Sequence, residues 1–519
     1  MSELLEQLRG REAELSIAQE QVKVLREHNA RLKSENEDLK RRLDAYCHRL
    51  YGKRSEQVDP AQLALAFAEL AKQDAADAAA KEAEGEAAPE ADSGDPVPEV
   101  KKPAPRPGHG RAMIPEHLER ERIETRPSPE ECFCSGCKVE KVEIGTEVSE
   151  QYEVVPAVLK VIQHVRVKMA CPKCKEGVVI GPPAAKVVDK GLAGPGLVAQ
   201  TIVAKCQDHL PLYRQAQIYA RMGAPLTDST LLSFINQGAA LLSPIAEAVF
   251  REVLAGPFVH ADETPVTMKL LPRGTKKAYL YTCTDREQVG FRFATGRSKE
   301  GPIELLGTYS GYVHRDAYAG YIEAMKRGGA TWVACWAHVR RGFHEALKTD
   351  PEGASKLLAM IQLLYRVEAD ARELDDAARQ QMRAERSVPL LARIQTELTE
   401  QARTALPSGA LGQAVAYAQN HWPALIRYVE HGMLAIDNNA AERALRPIAV
   451  GRKNWLVAGS EEGGHRAAIL YTLVGSCKLL DINPLEYLRD VLTRVSTHPS
   501  SRVAELTPKG WKAARTFVR

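Results

Sequence analysis

Along the first fifty residues, apolar side chains recur every seven positions. With Leu8 at position a, the a series reads Leu8, Leu15, Val22, Asn29, Asn36 and Leu43, and the d series Leu4, Arg11, Ala18, Leu25, Leu32, Leu39 and Tyr46. Neither Pro nor Gly occurs from Arg11 to Leu50, so the pattern predicts one unbroken helix. Leucine at d with asparagine at a favours a parallel two-stranded coiled coil, because paired asparagines hydrogen-bond across the seam. An amphipathic helix packed on its own domain would carry the same stripe. Six heptads with two a-position asparagines favour the coiled coil, which is assigned to 1–58.

The pattern then fades. Residues 59–110 are first Ala-rich and then a Pro, Ala and acid tract, EGEAAPEADSGDPVPEVKKPAPRPG, with almost nothing to bury; this predicts a linker. Residues 111–188 hold two strand-like runs, Gln151–Pro156 and Leu159–Met169, whose alternation suits a hairpin. From 189 to 250 the period is helical. Gly191–Lys205 is one helix, and Leu212–Met222 with Thr227–Gln237 forms a pair about Gly223 that resembles a helix-turn-helix, with Thr227 or Asp228 as cap. Such pairs are as often structural as DNA-binding.

From Pro257 the period becomes that of strands. FVHADE is a short apolar strand ending in acid, and AYLYTCT and VGFRFAT read as a hairpin. Helix Lys299–Leu306, strand GYVHRDAY, a helix near Ala319–Lys326, strand ATWVACW and helix His338–Lys348 follow. Three antiparallel strands, then helix, strand, helix, strand, helix, is the succession of the ribonuclease-H-like fold. In that fold the first and fourth strands are neighbours, so Asp262 and Asp316, at their ends, meet. Helices over Lys356–Leu374, Leu390–Ala405 and Leu411–Glu430 form an insertion, about 349–432, in a domain spanning 251–475; a helical basic tail fills 476–519.

Charge changes this picture locally. The chain of 519 residues has a formal net charge of +3. Asp59 to Glu99 holds eleven acids against two bases, a net −9 that leaves +12 for the remainder. A basic body with an acidic strap is compatible with a nucleic-acid partner. With 44% hydrophobic residues, global disorder is excluded. The start, MSELLEQLRGREAEL, lacks the apolar core of a signal peptide, and no run of about 18 apolar residues could span a membrane. A cytoplasmic protein is expected.

Four of the ten cysteines form two CxxC pairs, Cys134/Cys137 and Cys171/Cys174. Each knuckle brings two thiolates to one tetrahedral ion, so together they predict one structural zinc in a ribbon-like module. Cys132 is a substitute ligand, although its spacing to Cys134 is short for a knuckle. Two carboxylates at adjacent strand ends repel unless a cation lies between them, and hard oxygen ligands suit magnesium or manganese. The third acid of a two-metal site is best supplied by Glu442, with Arg443 and Arg446 beside it for phosphate. Two alternatives stand: Glu442 fits a capping box with Asn439, and Asp437 is a rival ligand. His338, Arg340 and Arg341, and the Arg452-Lys453-Asn454-Trp455 patch, are further candidates for DNA contact.

In combination these motifs resemble the transposases of the insertion-sequence-66 group. The resemblance spans nearly the whole chain: LYGKRSE after the heptads, CSGC and CPKC, LPLYRQ, HADET, VHRDAY, CWAHVRRGF, DNNAAERALRP, GRKNWLVAGS and KLLDINPLEYL. It implies an Asp-Asp-Glu transposase whose triad matches Asp262, Asp316 and Glu442, with two Mg2+ (or Mn2+) ions per active site and one structural Zn2+. It implies phosphodiester cleavage that releases a 3′-hydroxyl, then transesterification into target DNA. The partners implied are element ends and target DNA, a homodimer or higher oligomer through the coiled coil, and further proteins of the same element. The fold class expected is multidomain α+β: coiled coil, zinc ribbon-like module, helical DNA-binding region, and ribonuclease-H-like α/β catalytic domain with a helical insertion. A zinc-containing regulator without catalysis has no need of paired acids, and a nuclease of the same fold would cut without joining.

Overall fold

The computed structural model describes residues 192–516, apart from 271–272, together with residues 68, 159–169, 179–180 and 187. The heptads, almost all of the acidic linker and the four CxxC cysteines lie outside the described residues, as does Gln151–Pro156. Of the run Leu159–Met169, only Lys168–Met169 (β1) is strand, paired antiparallel with Val179–Ile180 (β2). Residues 159–167 have no regular structure, and Val161, Ile162, Val165 and Val167 are exposed. Alternation there leaves the apolar side chains exposed, which corrects the longer strand expected.

Three helices open the main body: α1 (Pro195–Cys206), α2 (Leu212–Arg221) and α3 (Asp228–Leu254). Thr227 is the cap of α3, its side chain accepting from Thr230 N at 3.2 Å. The expected stop at Gln237 is not observed; α3 runs 27 residues. Its buried stripe continues through Leu242, Ile245 and Val249, and Gly238 allows close approach to α1, since a Cβ there would lie 2.9 Å from Val198. The second helix of the expected helix-turn-helix is therefore a long core helix.

One five-stranded mixed sheet follows, in the order β5-β4-β3-β6-β7. Its strands are β3 (Phe258–Lys269), β4 (Thr275–Thr284), β5 (Val289–Ala294), β6 (Tyr312–Arg315) and β7 (Thr331–Ala334). The first three are antiparallel, while β6 pairs parallel with both β3 and β7. The expected neighbours are thus in contact, with His260 opposite His314. One face of the sheet, through Val259, Ala261, Tyr281 and Val313, packs with α4 (Glu300–Leu306) and α5 (Tyr321–Gly328). The other, through Val266, Leu280, Phe291 and Phe293, packs with α3, α12 (Asn439–Trp455) and α13 (Glu461–Leu479). Helix α13 also seals the edge strand: Thr472 Oγ1 accepts from Phe291 N at 3.0 Å, and Ser476 Oγ from Val289 N at 3.1 Å. An edge occupied this way cannot template a foreign strand.

Helix α6 (Trp336–Ala346) follows β7, and the insertion then comprises α7 (Pro351–Asp370), α8 (Asp376–Met382), a π-turn (Arg383–Ser387), α9 (Val388–Thr404), α10 (Ala410–Asn420), α11 (Trp422–Leu425) and a 3-10 turn (Ile426–Val429). The insertion packs around Leu357, Ile361, Leu391 and Tyr428 in a core shared with α6 and with Phe258 and Val333 of the sheet. The expected third helix breaks at His421 and restarts with Pro423 in its first turn, where proline needs no amide donor. Helices α14 (Pro484–Arg494) and α15 (Pro508–Thr516) close the described chain against the first core. Gly432 tests how tightly the insertion's return segment is held, because a Cβ there would sit 1.6 Å from Asp376 O. Gly432→Ala should lower stability by about 2 kcal/mol, as overpacking against backbone does; an unchanged denaturation midpoint would refute the close packing.

Candidate active site

Asp262 is the fifth residue of β3, and Asp316 follows the last residue of β6. Because side chains alternate along a strand, Asp262 shares a face with His260, and Glu263 turns to the other. The parallel pairing of β3 with β6 stops at His260 and His314, so both aspartates lie just beyond it. Asp262 is nevertheless inside β3, which stays paired with β4 out to Lys269, and this corrects the short strand ending in acid that the sequence suggests. Glu442 lies in the first turn of α12, which packs on β3. The helix is preceded by Asn438 as N-cap, so the third helical position is Ala441. Glu442 is one residue beyond the capping-box position, and the Asn438 side chain makes no cap bond. Asp437 is engaged structurally: Oδ1 accepts from Asn439 N at 3.1 Å, and Oδ2 from Asn439 Nδ2 at 2.6 Å and Tyr365 Oη at 3.1 Å.

Burial pushes the Asp262 carboxyl up to about 7, opposed by the Glu263 N–H that donates to it at 2.8 Å and reinforced by the charges of Glu263, Asp316 and Glu442. Asp262 therefore feels the charges of acids carried by β3 itself, by the end of β6 and by α12. Hard oxygen donors crowded in a half-buried place are the chemistry a divalent cation relieves. As the side chains stand, no three His, Cys, Asp or Glu among the described residues are gathered tightly enough to grip an ion. Asp262 Oδ1 and Asp316 Oδ1 are each turned to a backbone N–H, of Glu263 and Tyr318. The donor set suits magnesium or manganese in charge and hardness, with the carboxylates still hydrogen-bonded to their own chain.

A fourth carboxylate, Glu263, was not anticipated. Its side chain is 3% exposed and pairs with Arg297 at 2.7 Å, while Oε2 is buried without a partner. Burial raises its pKa, against the pull of Arg297. The Arg297 guanidinium lies 4.0 Å over the Tyr318 ring, and Tyr318 N–H donates to Asp316 at 3.0 Å. The adjacent acid in HADET was its only signal in the sequence.

Of the DNA-contact candidates, His338 lines a cleft of about 320 Å3 with Asp316, Tyr318, Glu345, Gln413 and Tyr417. Arg340 is half-buried and Arg341 exposed on α6; Arg443 and Arg446 are exposed three residues apart on α12, one helical face. Lys453 is exposed, whereas Arg452 turns inward, donating to Thr264 Oγ1 at 3.0 Å and to Pro265 O. The structure therefore puts His338 beside Asp316 in one cleft, keeps Arg443 and Arg446 on the exposed face of the helix that carries Glu442, and gives Arg452 a tie between α12 and β3.

Among the described residues, fold and site together define an α+β protein, mostly helical, with carboxylates just past the parallel pairing of β3 and β6 in a mixed five-stranded sheet. Residues 190–466 match the transposase IS66 family, and residues 131–175 the zinc-finger binding domain of transposase IS66. Residues 472–509 match the IS66 C-terminal element, and residues 38–123 the family described as transposase C of IS166 homeodomain. Three proteins of Sinorhizobium fredii (strain NBRC 101917 / NGR234), each named only as uncharacterized, are similar over most of their length. Protein y4hP is 31% identical over 77% of this chain and 76% of its own. For y4qI the figures are 34%, 79% and 78%, and for y4jD 30%, 77% and 82%. The chain belongs to the IS66 transposase family. Among the described residues no helix is long and apolar enough to cross a membrane.

Proposed function

We propose that the chain is a DNA transposase acting in the cytoplasm, which binds the ends of its element and catalyses their metal-dependent cleavage and strand transfer. The observation that carries this reading is that Asp262 and Asp316 both lie two residues past the last paired residues of parallel neighbours β3 and β6, with Glu442 in the first turn of the helix packed on β3. The strand order and directions support a ribonuclease-H-like catalytic domain at 251–475 with its insertion at 349–432. The zinc-finger match spans Cys134, Cys137, Cys171 and Cys174, which supports one structural zinc on those thiolates, and the heptads support dimer formation.

Asp262, Asp316 and Glu442 would hold Mg2+ or Mn2+. When bound, two such ions polarise the phosphodiester and generate the attacking oxygen nucleophile. The chain's own part is positional. The sheet fixes two carboxylates in register, and α12 brings the third. Arg443 and Arg446 offer guanidinium groups to phosphate from the same helix face, steering the DNA backbone toward the acids. The 251–475 sheet core excludes water from below the site, since Val259, Ala261 and Val313 are fully buried.

The test incubates purified protein and magnesium with labelled element-end DNA and a target plasmid. Joined product is expected. Nicked ends that never join would replace the reading with a nuclease, and retention without cleavage with a DNA-binding regulator.

A further inference from the structure

Asn438 stands where three segments meet, and it is 1% exposed. Its Nδ2 donates to Ala261 O at 2.9 Å, the carbonyl immediately before Asp262. Its Oδ1 is 3.2 Å from His260 Nδ1; with Nδ2 facing a carbonyl, the imidazole N–H is the donor. Its own N–H donates to Cys335 Sγ at 3.2 Å, just past β7. The His260 ring stacks on that of His314, with centroids 4.3 Å apart and planes 16° from parallel. His314 in turn accepts from Ala435 N at 3.4 Å, on the segment leading to Asn438. The strand period matters here. His260 and Asp262 share one face of β3, and His314 on β6 is likewise two residues before Asp316, which follows the strand.

Asparagine before a helix ordinarily folds its side chain back to cap the first amides. Asn438 does not, and α12 begins without a side-chain cap. Its amide instead reaches across to β3, with one rigid plane fixing two directions at once. We propose that Asn438 is the positioning residue that sets the start of α12, and with it Glu442, against the strands that carry Asp262 and Asp316. The inference rests on the triad reading above and deepens it. A buried amide that only stabilised the fold would alter melting and leave metal binding alone. An amide that registers one ligand-bearing element on another alters both, as partners of metal-ligating groups do, by about ten- to a hundred-fold in affinity.

The experiment uses the full chain bound to element-end DNA. Mn2+ affinity is read from the electron paramagnetic resonance signal of the free ion, and the Mg2+ concentration for half-maximal cleavage is measured in parallel. Asn438→Ala is compared with Leu473→Ala, a cavity in the fully buried part of α13, which lowers the thermal midpoint without touching the site. Asn438→Ala should weaken Mn2+ binding at least about ten-fold and raise the Mg2+ requirement to match, while Leu473→Ala keeps wild-type values for both. Wild-type metal affinity in a folded Asn438→Ala protein overturns the inference. If that variant does not fold, Asn438→Ser decides by the same two readings. Failure of both to fold where Leu473→Ala folds also overturns it, leaving Asn438 a stability role. Glu442→Gln distinguishes the underlying reading: wild-type Mn2+ affinity in that variant refutes the triad, whatever Asn438 does.

Discussion

Asp262→Asn is expected to abolish end cleavage and strand transfer, with DNA binding unchanged. Asp316→Asn and Glu442→Gln should do the same. Each substitution keeps shape and hydrogen-bonding capacity and removes one anionic oxygen ligand. If the lost transition-state charge stabilisation is about 4 kcal/mol, the rate falls roughly a thousand-fold. Instability would not explain that loss for Asp262. Its carboxyl is pushed up to about 7 by burial and by three neighbouring acids, so a neutral amide there relieves repulsion, and the metal-free thermal midpoint should hold or rise. Single-turnover cleavage of labelled ends, with filter binding on the same DNA, separates the two effects. A variant that cleaves at the wild-type rate in magnesium would strip that residue of its assigned role.

The aspartates were legible because local signals and topology agree at them. FVHADE and GYVHRDAY are short apolar runs that carry an acid, and the order of elements makes them neighbours. What the runs do not show is that β3 continues past Asp262 to Lys269, because its second half is held by cross-strand pairing with β4. Glu442 was legible only with an ambiguity. Asn439-Ala-Ala-Glu442 has the spacing of a capping box, and the sequence cannot say that the helix is entered one residue earlier, from Asn438. The remainder of the site is set by contacts that no local pattern encodes. His260 and Asn438 are 178 residues apart in sequence, and Glu263 meets Arg297 across a hairpin and a turn. The length of α3 was missed for a related reason. Gly238 and Pro244 lower helix propensity locally, and what carries the helix through is burial against α1, a tertiary gain that outweighs about 1 kcal/mol for the glycine and about 3 kcal/mol for the proline. Arg452 shows the converse. A basic residue beside a tryptophan suggested a surface patch, but its guanidinium is committed to Thr264 and Pro265.

Arg383→Met should lower the stability of the folded body around the sheet by about 3–5 kcal/mol, the cost of leaving half of a buried ion pair behind. Arg383 is 1% exposed and sits at the head of the π-turn. All five of its donor hydrogens have a partner. Nε and Nη2 form a fork with Glu368 at 2.8 and 2.6 Å, Nη1 donates to Tyr428 O and His431 O at 2.8 and 3.0 Å, and Nη2 also to Leu434 O at 2.9 Å. Those three carbonyls belong to the segment that carries the insertion back toward Asp437 and Asn438, so one side chain fastens the return path to Glu442. Lysine would keep the charge but not the planar fork, and Arg383→Lys should recover only part of the loss. Urea denaturation followed by tryptophan fluorescence reads the difference; a loss below about 1 kcal/mol would mean the fork is dispensable. The double variant Arg383→Met, Glu368→Met separates charge from hydrogen bonding. Replacing both ions by apolar groups is often neutral where the ions served only each other. Here the three carbonyls remain buried without donors, each at about 1–3 kcal/mol, so the double variant should stay well below wild type. Full recovery would mean that the ion pair, and not the grip on the return segment, is what Arg383 contributes.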